Sequence, residues 1–485
     1  MKIFLSHIKK IIPQKIFKSV QPAYHYFLSW LANLMYGNSS SKLVVIGITG
    51  TSGKTSSVYL MAKSLNEAGY KAGYTSTAMF SDGENEWLND KKMTMVGPFF
   101  TQKTIRKMVK NGCHYAIIET TSEGIRQFRH RFINYDVLVF TGLYPEHIES
   151  HGSFDNYKKA KGELFAHLKR CQPKYLNNEN KVVKVKNNLS KIDLNRVKKT
   201  FVINGEDEHS FYFSSFWAES KFYYFSGIRD VSENSAIFFD NIKISLSGTS
   251  FSLNYNKKDI NLDNNDLITR DIKLKTWGEF NVCNSMPTLS LPFVLNFIDL
   301  EKIIDGLEKI KNIPGRMEII DVGQKFLAIV DYAYEPVAMK KMYDLIYFLK
   351  KELSDNGYNG KIIHILGSAG GGRDKDRREV MGRLAGERAD FVIITNEDPY
   401  DENPLDIINQ VSLGSKEVGK QEGINLFRIM DRREAIKKAL KLAKEGDLLI
   451  ITGKGCEQAI CLSNGKKIPW DDRLILKEEI LNNLG

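Results

Sequence analysis

Residues 44–55 read VVIGITGTSGKT and predict a buried strand, a tight turn and the start of a helix. Gly50 and Gly53 let the backbone turn so that its N–H groups face an anion, in front of the positive end of the next helix. Lys54 is placed to reach the β- and γ-phosphates of a nucleotide, and the Thr55 hydroxyl to ligate Mg²⁺. The strict phosphate-loop pattern has one further glycine, six residues before the lysine, where this chain has isoleucine. The stretch therefore indicates an enzyme that uses ATP or GTP, with an ordinary glycine-rich turn as the alternative.

The sequence beyond this loop alternates between amphipathic and apolar runs. Residues 56–69 (SSVYLMAKSLNEAG) have helical spacing, whereas 115–120 (YAIIET) and 136–143 (DVLVFTGL) are apolar runs typical of buried strands. This alternation predicts an α/β fold, here a central P-loop ATPase-like domain with a mostly parallel sheet. Over residues 201–262 short β-branched and aromatic runs are broken by Gly, Asn and Asp. These runs predict an antiparallel insertion within the same domain.

A second α/β unit follows residues 313–315 (Ile-Pro-Gly), which we interpret as a hinge. Helical stretches separate its predicted strands, which makes this unit a Rossmann-like C-terminal domain. The strands are predicted at FLAIVDYA (326–333), KIIHILGS (361–368), DFVIITNE (390–397) and DLLIITGK (447–454). We therefore predict three parts: a basic and aromatic helical segment over 1–42, a central domain over 43–312 and a C-terminal domain over 313–485.

The N-terminal segment has an uneven charge distribution. No Asp or Glu precedes Glu67, five lysines lie among the first 18 residues, and residues 19–41 carry no Lys, Arg, Asp or Glu. A signal peptide is disfavoured because no compact apolar core precedes a small-residue cleavage site, and polar residues dilute the segment below the usual transmembrane run. Two interpretations stay open: residues 1–41 form a basic, aromatic helix at a membrane surface, or a helix packed on the next domain.

Composition narrows the class of protein further. A chain of 485 residues has room for two or three domains. The five cysteines are scattered without a CxxC pair, which favours reduced thiols in the cytoplasm and makes a zinc site improbable. The net charge of +11 is not gathered into a recognisable module, so a nucleic-acid partner is not expected.

Polar residues at the ends of the central strands suggest a metal site beside phosphate. Glu119 ends an apolar strand at the sheet edge that also carries the glycine-rich loop, which suits a Mg²⁺ ligand. Acidic and histidine residues, His147 among them, are concentrated within 146–151, where oxygen and imidazole donors suit a divalent metal. Lys161 lies on the helix that follows. A surface carboxylate and a solvated lysine are the alternatives for Glu119 and Lys161.

Further candidates lie in the second unit. Arg316 directly follows the hinge, where a guanidinium can reach phosphate oxygens across a domain cleft; a structural salt bridge is the alternative. Glycine- and charge-rich stretches follow three predicted strands, and such strand ends converge on one crevice in an open α/β sheet. These stretches are 367–378, 395–404 and 453–457.

Taken together, these motifs resemble the Mur ligase family, and within it the branch that adds the third amino acid of the peptidoglycan stem. The matches occur in family order over most of the chain. They are TGTSGKT (49–55), ETTSE (119–123), PEHIESHG (145–152), Ala160-Lys161, FNVCN (280–284), GRME (315–318), DYAY (331–334), GGGRDKDRR (370–378), EDPYDENP (397–404) and GKGCE (453–457).

The resemblance implies an ATP-dependent amide ligase that adds an amino acid to a carboxylate of a peptidoglycan precursor. The reaction would pass through an acyl phosphate and release ADP and phosphate, with Lys54, His147, Lys161 and Arg316 as catalytic residues. Thr55, Glu119, His147 and a carbamylated Lys161 would hold Mg²⁺. ATP would contact Gly50, Thr51, Ser52, Gly53, Lys54, Thr55, Asn281, Arg316 and Asp331. The substrate-binding residues would be Asp398, Tyr400, Gly453 and Glu457.

Two departures from the family pattern bear on the substrates. Family members carry an N-terminal domain for the nucleotide sugar, whereas residues 1–42 stand in its place here, so the acceptor is either nucleotide-linked or lipid-linked. Tyr400 replaces the arginine that reads the far carboxylate of diaminopimelate, and Asp398 replaces its neighbouring asparagine. An acidic loop attracts a side-chain ammonium, so electrostatics favour lysine or ornithine as the amine. The alternative is that Arg373, Arg377 or Arg378 takes over the role of the missing arginine.

Two other functions stay open on the sequence. One is a Mur-type ligase for a different acid, such as a lipid-linked precursor, a folate or a poly-amino acid. The other is a nucleotide-binding regulator without ligase chemistry, against which Lys161, His147 and Arg316 argue, since a nucleotide sensor would not need them.

Overall fold

The computed structural model describes residues 14–146, 151–185, 194–229, 235–256, 267–355, 357–372 and 375–484. These residues form fourteen α-helices, here numbered in chain order. The helices are α1 (Gln14–Met35), α2 (Lys54–Glu67), α3 (Pro98–Lys110), α4 (Ser122–Arg126), α5 (Phe154–Leu168), α6 (Ser210–Ser214), α7 (Glu279–Leu289), α8 (Leu291–Val294), α9 (Leu300–Lys309), α10 (Pro336–Asp355), α11 (Arg377–Arg388), α12 (Pro404–Glu417), α13 (Arg432–Leu442) and α14 (Asp472–Leu484).

The strands of the described residues are numbered in the same way. They are β1 (Val44–Thr49), β2 (Ala72–Thr75), β3 (Met79–Ser81), β4 (Glu86–Leu88), β5 (Tyr115–Glu119), β6 (Val137–Phe140), β7 (Lys174–Leu176), β8 (Val182–Val183), β9 (Asn195–Val197), β10 (Thr200–Asn204), β11 (Ser220–Ser226), β12 (Ser235–Ser245), β13 (Gly248–Asn256), β14 (Leu267–Leu274), β15 (Glu318–Ile319), β16 (Leu327–Val330), β17 (Ile362–Leu366), β18 (Phe391–Thr395), β19 (Leu426–Ile429), β20 (Leu448–Ile451), β21 (Ala459–Cys461) and β22 (Lys467–Pro469).

The N-terminal part of the fold is built on one large mixed sheet. Its order is β14-β13-β12-β11-β10-β6-β1-β5-β2-β3-β4. All neighbours from β12 to β2 are parallel, whereas β14-β13-β12 and β2-β3-β4 are antiparallel. Strands β6, β1 and β5 are fully buried neighbours in the middle, as parallel strands covered by helices should be. Their carboxyl ends therefore meet at one edge of the sheet.

The predicted antiparallel insertion is correct only in its second half. Strands β10 and β11 pair in parallel with β6 and with each other, and β12 also runs parallel to β11. The antiparallel ladder begins only at the β12–β13 pair. Short aromatic and β-branched runs indicate strands but not their direction, because direction depends on the connection, here a crossover through α6. The parallel part of the sheet thus contains three strands, β10, β11 and β12, that the sequence assigns to the antiparallel insertion.

The second unit is a six-stranded sheet in the order β15-β16-β20-β17-β18-β19. All its pairs are parallel except β15–β16 at the edge. The four strands predicted from the sequence correspond to β16, β17, β18 and β20, so the predicted α/β architecture is confirmed. The boundaries at 42/43 and 312/313 stay predictions.

A buried ion cluster fastens the middle of the large sheet. The Asp136 carboxylate, which is fully buried, accepts hydrogen bonds from Lys174 Nζ at 2.6 Å, Lys199 Nζ at 2.8 Å and the backbone N–H of Val45 at 2.8 Å. These contacts join the start of β6 to β1, to β7 and to the segment before β10. The two ammonium groups share one carboxylate in a buried site. Loss of that carboxylate would leave buried charges unpaired, which is strongly destabilising.

We expect Asp136→Asn to lower the free energy of unfolding by about 3–5 kcal/mol, because it leaves two buried ammonium groups without their counter-charge. Urea titration followed by circular dichroism measures the effect. Asp305→Asn is a matched control, since Asp305 is exposed on α9. A change below about 1 kcal/mol in the Asp136 variant would contradict the role of the cluster.

Helix α1 packs on the domain through small side chains and exposes several large apolar side chains. Ser29 is 2 % exposed and Ala32 is fully buried, whereas Phe27, Trp30 and Leu34 are 51 %, 44 % and 61 % exposed. In a typical surface helix of a globular protein, the large apolar side chains face the core instead. No helix among the described residues combines the length and the apolar character that crossing a membrane requires.

Candidate active site

The glycine-rich loop connects β1 to α2 in the predicted place. Helix α2 begins at Lys54, and Lys54 Nζ donates to the carbonyl oxygen of Thr51 at 2.6 Å. Gly53 has a φ of 79°, and a Cβ added there would lie 2.5 Å from Asn284 Oδ1. Both the backbone angle and the close approach of α7 therefore require glycine at this position. The loop presents backbone N–H groups and one lysine at a helix N-terminus, which is an anion-binding arrangement.

Glu119 is held by hydroxyl groups at the carboxyl end of β5. Thr55 Oγ1 donates to its two carboxylate oxygens at 3.1 and 3.0 Å. Thr77 approaches from the other side, with its backbone N–H 2.7 Å from Oε2 and its hydroxyl 2.9 Å from Oε1. Glu119 is 1 % exposed. The Thr55 hydroxyl at the start of α2 and the Glu119 carboxylate at the end of β5 are thus in direct contact.

Lys161 lies beneath the phosphate loop. It is 1 % exposed, its Nζ donates to the carbonyl oxygen of Gly50 at 2.7 Å, and the same atom lies 4.7 Å from the centre of the Tyr157 ring. Burial lowers the pKa of Lys161 well below its usual range, and repulsion from Lys54 lowers it further, while Glu146 and Glu119 oppose the shift. The surroundings therefore disfavour the charged form of the Lys161 side chain.

One cleft of about 440 Å³ separates the two α/β units and receives residues from both. Hydrogen bonds between tyrosines and glutamates cross it. Tyr144 Oη donates to Glu335 Oε1 at 3.1 Å, and Tyr334 Oη donates to Glu146 Oε1 at 2.9 Å. The predicted residues that line it are Thr51, Ser52, Gly53, Lys54, Thr55, Glu119, Arg316, Asp331, Tyr400 and Glu457.

Arg316 and Asp331 form the side of the cleft that faces the phosphate loop. The Arg316 guanidinium lies over the Tyr332 ring, 4.1 Å from its centre. The Asp331 carboxylate accepts from the backbone N–H groups of Met317 and Ala333, each at 2.7 Å. Burial raises the pKa of Asp331, although Arg316 opposes the shift. The guanidinium thus lines the cleft over an aromatic face, with Nη1 donating to the carbonyl oxygen of Gly315 at 3.1 Å.

The predicted acidic substrate loop is already paired with lysines. Lys454 Nζ lies 2.8 Å from Asp398 Oδ1 and 2.8 Å from Glu457 Oε2. Lys92, from the other α/β unit, contacts the same carboxylates at 3.0 and 2.5 Å. The electrostatic expectation for lysine or ornithine assumed unpaired carboxylates, and the structure removes that premise. Although burial opposes the shift, Lys454 and Lys92 lower the pKa of Asp398 below its usual range.

Some predicted residues lie behind the cleft or outside the described residues. Asn281 is buried and donates from Nδ2 to the carbonyl oxygen of Trp277 at 2.8 Å, while Asn284 lines the cleft in its place. Gly453 packs against a carboxylate, because a Cβ there would lie 2.2 Å from Glu397 Oε2. His147 falls within residues 147–150, outside the described residues.

Sequence reasoning missed the lysine that crosses between the units. Lys92 stands in a polar stretch, NDKKMT, without a motif to mark it, and only the fold brings it to Asp398 and Glu457. Lys454 lies within the GKGCE motif, but the sequence alone does not indicate a role for this lysine. Thr77 lies just after a strand and Asn284 ends the FNVCN motif, but nothing else in the local sequence marks either residue as part of the site.

The fit to Mg²⁺ depends on the donors around Glu119. Within the described ranges, which leave out 147–150, no three His, Cys, Asp or Glu side chains are grouped to hold a metal ion. Thr55 and Glu119 nevertheless present a hydroxyl and a carboxylate in contact, beside an anion-binding loop. Hard oxygen donors with room for water and phosphate oxygens suit Mg²⁺, which seldom takes a complete protein cage.

Comparison with known proteins agrees with this geometry. The Mur ligase middle domain matches residues 48–291, and the glutamate ligase domain of Mur ligases matches residues 315–455. The chain belongs to the Mur ligase family. Members of this family are ATP-dependent ligases, and the two matched regions contain the two sides of the cleft.

Several Mur ligases of established name are similar over most of this chain. The UDP-N-acetylmuramyl-tripeptide synthetase of Borreliella burgdorferi is 33 % identical over 459 residues, which cover 94 % of this chain and 80 % of the relative. That of Treponema denticola is 30 % identical and covers 94 % and 79 %. The UDP-N-acetylmuramoyl-L-alanyl-D-glutamate–2,6-diaminopimelate ligase of Halalkalibacterium halodurans is 30 % identical and covers 93 % and 81 %.

Solved structures share the fold at lower identity. A UDP-N-acetylmuramoyl-L-alanyl-D-glutamate–2,6-diaminopimelate ligase superposes with a TM-score of 0.54 at 22 % identity, covering 92 % of this chain and 79 % of the other. The folylpolyglutamate synthase of Mycobacterium tuberculosis, complexed with ADP, superposes with a TM-score of 0.62 at 15 % identity, covering 90 % and 92 %. These likenesses establish the two-unit α/β architecture and nothing about substrates.

Proposed function

We propose that this chain is an ATP-dependent ligase that joins an amino acid to a carboxyl group of a peptidoglycan precursor. The observation that supports it is the single cleft in which the phosphate loop of one unit faces Arg316 and the lysine-paired carboxylates of the other. A reaction with three reactants needs such a meeting point. Relatives named as tripeptide synthetases and diaminopimelate ligases support the precursor as acceptor.

In the proposed reaction an acceptor carboxylate oxygen attacks the γ-phosphorus of ATP, and ADP leaves. The amine nitrogen then attacks the acyl carbon, loses a proton, and inorganic phosphate leaves. Lys54 and the loop N–H groups neutralise and orient the phosphates, and Arg316 approaches from the opposite wall. Positioning and charge neutralisation account for most of the acceleration in such transfers.

We also propose roles for the residues below the phosphate loop. Thr55, Glu119, His147 and a carbamylated Lys161 would hold Mg²⁺, which when bound supplies positive charge to the phosphates. A buried, neutral Lys161 amine is able to take up CO₂ and become an anionic oxygen donor, whereas an ammonium is not. The lowered pKa and the position 2.7 Å from Gly50 support this assignment.

The test is a ligation assay on the full chain with a panel of acceptors. ATP, each amino acid and one acceptor are combined, with a nucleotide-linked muramoyl dipeptide, its lipid-linked counterpart, a folate and a poly-amino acid as separate arms. Phosphate release is measured together with the product mass. We expect release that depends on both a muramoyl acceptor and an amine. Phosphate release with only the folate or only the poly-amino acid would identify that acid as the acceptor and refute the peptidoglycan precursor. ATP binding without phosphate release in any arm would support a nucleotide-binding regulator without ligase activity.

We further propose that the N-terminal segment brings the enzyme to a membrane surface on the cytoplasmic side. The outward apolar face of α1 follows a stretch of lysines without acidic residues, and aromatic side chains with flanking positive charge suit an anionic bilayer surface. A lipid-linked acceptor would be found at the same surface. The five cysteines, all free, are consistent with a reducing compartment.

Flotation with vesicles tests the membrane contact. We expect the protein to bind vesicles that contain anionic phosphatidylglycerol. The double variant Trp30→Ser/Phe27→Ser should bind them at least about tenfold more weakly, because the exposed face of α1 then lacks both aromatic rings. Phe211→Ser is the control, since Phe211 is 83 % exposed elsewhere. Equal binding of the double variant, or a dimer formed through α1 in sedimentation instead of vesicle binding, would refute the membrane contact.

A further inference from the structure

We propose that Lys92 sets the specificity for the amine substrate, because it fills in advance the position that a cationic side chain of the amine would take. The inference rests on the proposed ligase function. It predicts an amine substrate whose side chain has no net positive charge, a class that excludes lysine and ornithine and includes neutral, acidic and zwitterionic side chains.

The turn that carries Lys92 is firmly built. Lys92 lies between β4 and α3 with a φ of 55°, in the left-handed region that a lysine seldom adopts. Asn89, which is 4 % exposed, fixes this turn by donating from Nδ2 to the carbonyl oxygens of Ser76 and Met93, each at 3.0 Å. A strained residue in an over-determined turn is typical of a functional site. The turn thus directs Lys92 toward the second α/β unit.

Two lysines and two carboxylates form a closed group at the far end of the cleft. Lys454 is fully enclosed and bonds to Asp398 and Glu457, and the backbone N–H of Cys461 donates to Asp398 Oδ1 at 2.7 Å. Lys92 is 9 % exposed and bonds to the same two carboxylates. The formal charges of these four residues alone sum to zero.

The balance depends on Lys92 because Lys454 neutralises only one of the two carboxylates. Without Lys92 the remaining three residues carry one negative charge, which is the environment that binds an ammonium group. With Lys92 present, an incoming ammonium must displace it or add an unpaired positive charge to a site shielded from water, which is unfavourable. Lys92 and Glu457 line the cleft beside Tyr400, where the proposed function places the side chain of the amine.

Residues around the group do not offer an alternative cation site. Glu397 is buried next to Lys454, and burial raises its pKa to about 6, although Lys454 and Arg432 oppose the shift. Tyr332 donates from its hydroxyl to Glu457 Oε1 at 3.3 Å, which occupies the second oxygen of that carboxylate. Glu397 Oε2 has no hydrogen-bond partner among the described residues, but Glu397 does not line the cleft. The carboxylates of this unit that do line the cleft, those of Asp331, Glu335 and Glu457, are already bonded.

Competition between amino acids tests the inference. Lysine, ornithine, alanine, glutamate and meso-diaminopimelate are offered at equal concentration with ATP and the acceptor that supports ligation, and kcat/KM is derived from the product ratio. We expect lysine and ornithine to be used at least about tenfold less than the best of the other three. In Lys92→Met the ratio should shift toward lysine or ornithine by at least about tenfold.

Lys91→Met is the matched control, because Lys91 is the next residue and pairs only with Asp90 at the surface among the contacts described. Titration of each amino acid into protein saturated with a non-hydrolysable ATP analogue gives the same comparison without an acceptor. A wild-type preference for lysine or ornithine, or an unchanged ratio in Lys92→Met with an unaltered melting temperature, would overturn the inference. Failure of all ligation, with the binding preference as expected, would instead overturn the proposed function alone.

Discussion

Lys161→Ala should lower kcat by on the order of 10²–10³-fold, the loss typical of removing one charge-stabilising group. The reason is that alanine cannot form a carbamate, while the buried Lys161 amine lies under the phosphate loop with a depressed pKa. Added acetate or another short carboxylic acid should restore part of the rate by occupying the vacated space. Steady-state phosphate release measures both effects.

Lys159→Ala is the control for this variant, since Lys159 is exposed on the same helix. Incubation with ¹³CO₂ should produce a carbamate signal in the wild-type NMR spectrum that Lys161→Ala lacks. A wild-type spectrum without this signal, or a variant that keeps more than half of its activity, would count decisively against the carbamate.

Lys54→Ala should abolish measurable ligation with little effect on folding. Lys54 bonds only to the Thr51 carbonyl oxygen in the contacts described, so the fold does not depend on its charge, whereas the phosphates would lose their nearest cation. We expect kcat/KM for ATP to fall by about 10²–10³-fold or more. Lys63→Ala, on the same helix and paired with Glu86 near the surface, should retain activity. Near wild-type turnover in Lys54→Ala would refute the nucleotide assignment.

The elements predicted most accurately are those with a strong local pattern. Buried parallel strands such as β1, β5 and β17 are continuous apolar runs, so both their place and their type can be inferred. The directions of β10 and β11 could not, because the residues of a strand do not encode which way its neighbour runs. Direction came from the α6 crossover, a feature of tertiary connection.

The candidate site shows the same division. The loop at 50–55 and Glu119 are neighbours through parallel strand pairing, which the α/β pattern implies. Lys92 is distant in sequence from Asp398 and Glu457, and no short-range pattern links a polar turn to residues some three hundred positions away. The charge of a pocket depends on every group that reaches it, so a specificity argument made from one loop omitted the opposing lysine.

The division of the cleft between two units has a thermodynamic consequence. In the proposed reaction each ligand contacts both walls, ATP through the phosphate loop and Arg316, and the amine beside Lys92 and Glu457. Each ligand therefore gains its full affinity only when the walls are together, as the Tyr144–Glu335 and Tyr334–Glu146 bonds hold them. The first ligand to bind bears the free-energy cost of bringing the walls together, so the second ligand binds more tightly. This coupling is reciprocal. Dissociation constants measured for one ligand at a time will therefore understate affinity in the ternary complex. An inhibitor that contacts both walls should bind with a free energy more favourable than the sum for its two halves measured separately.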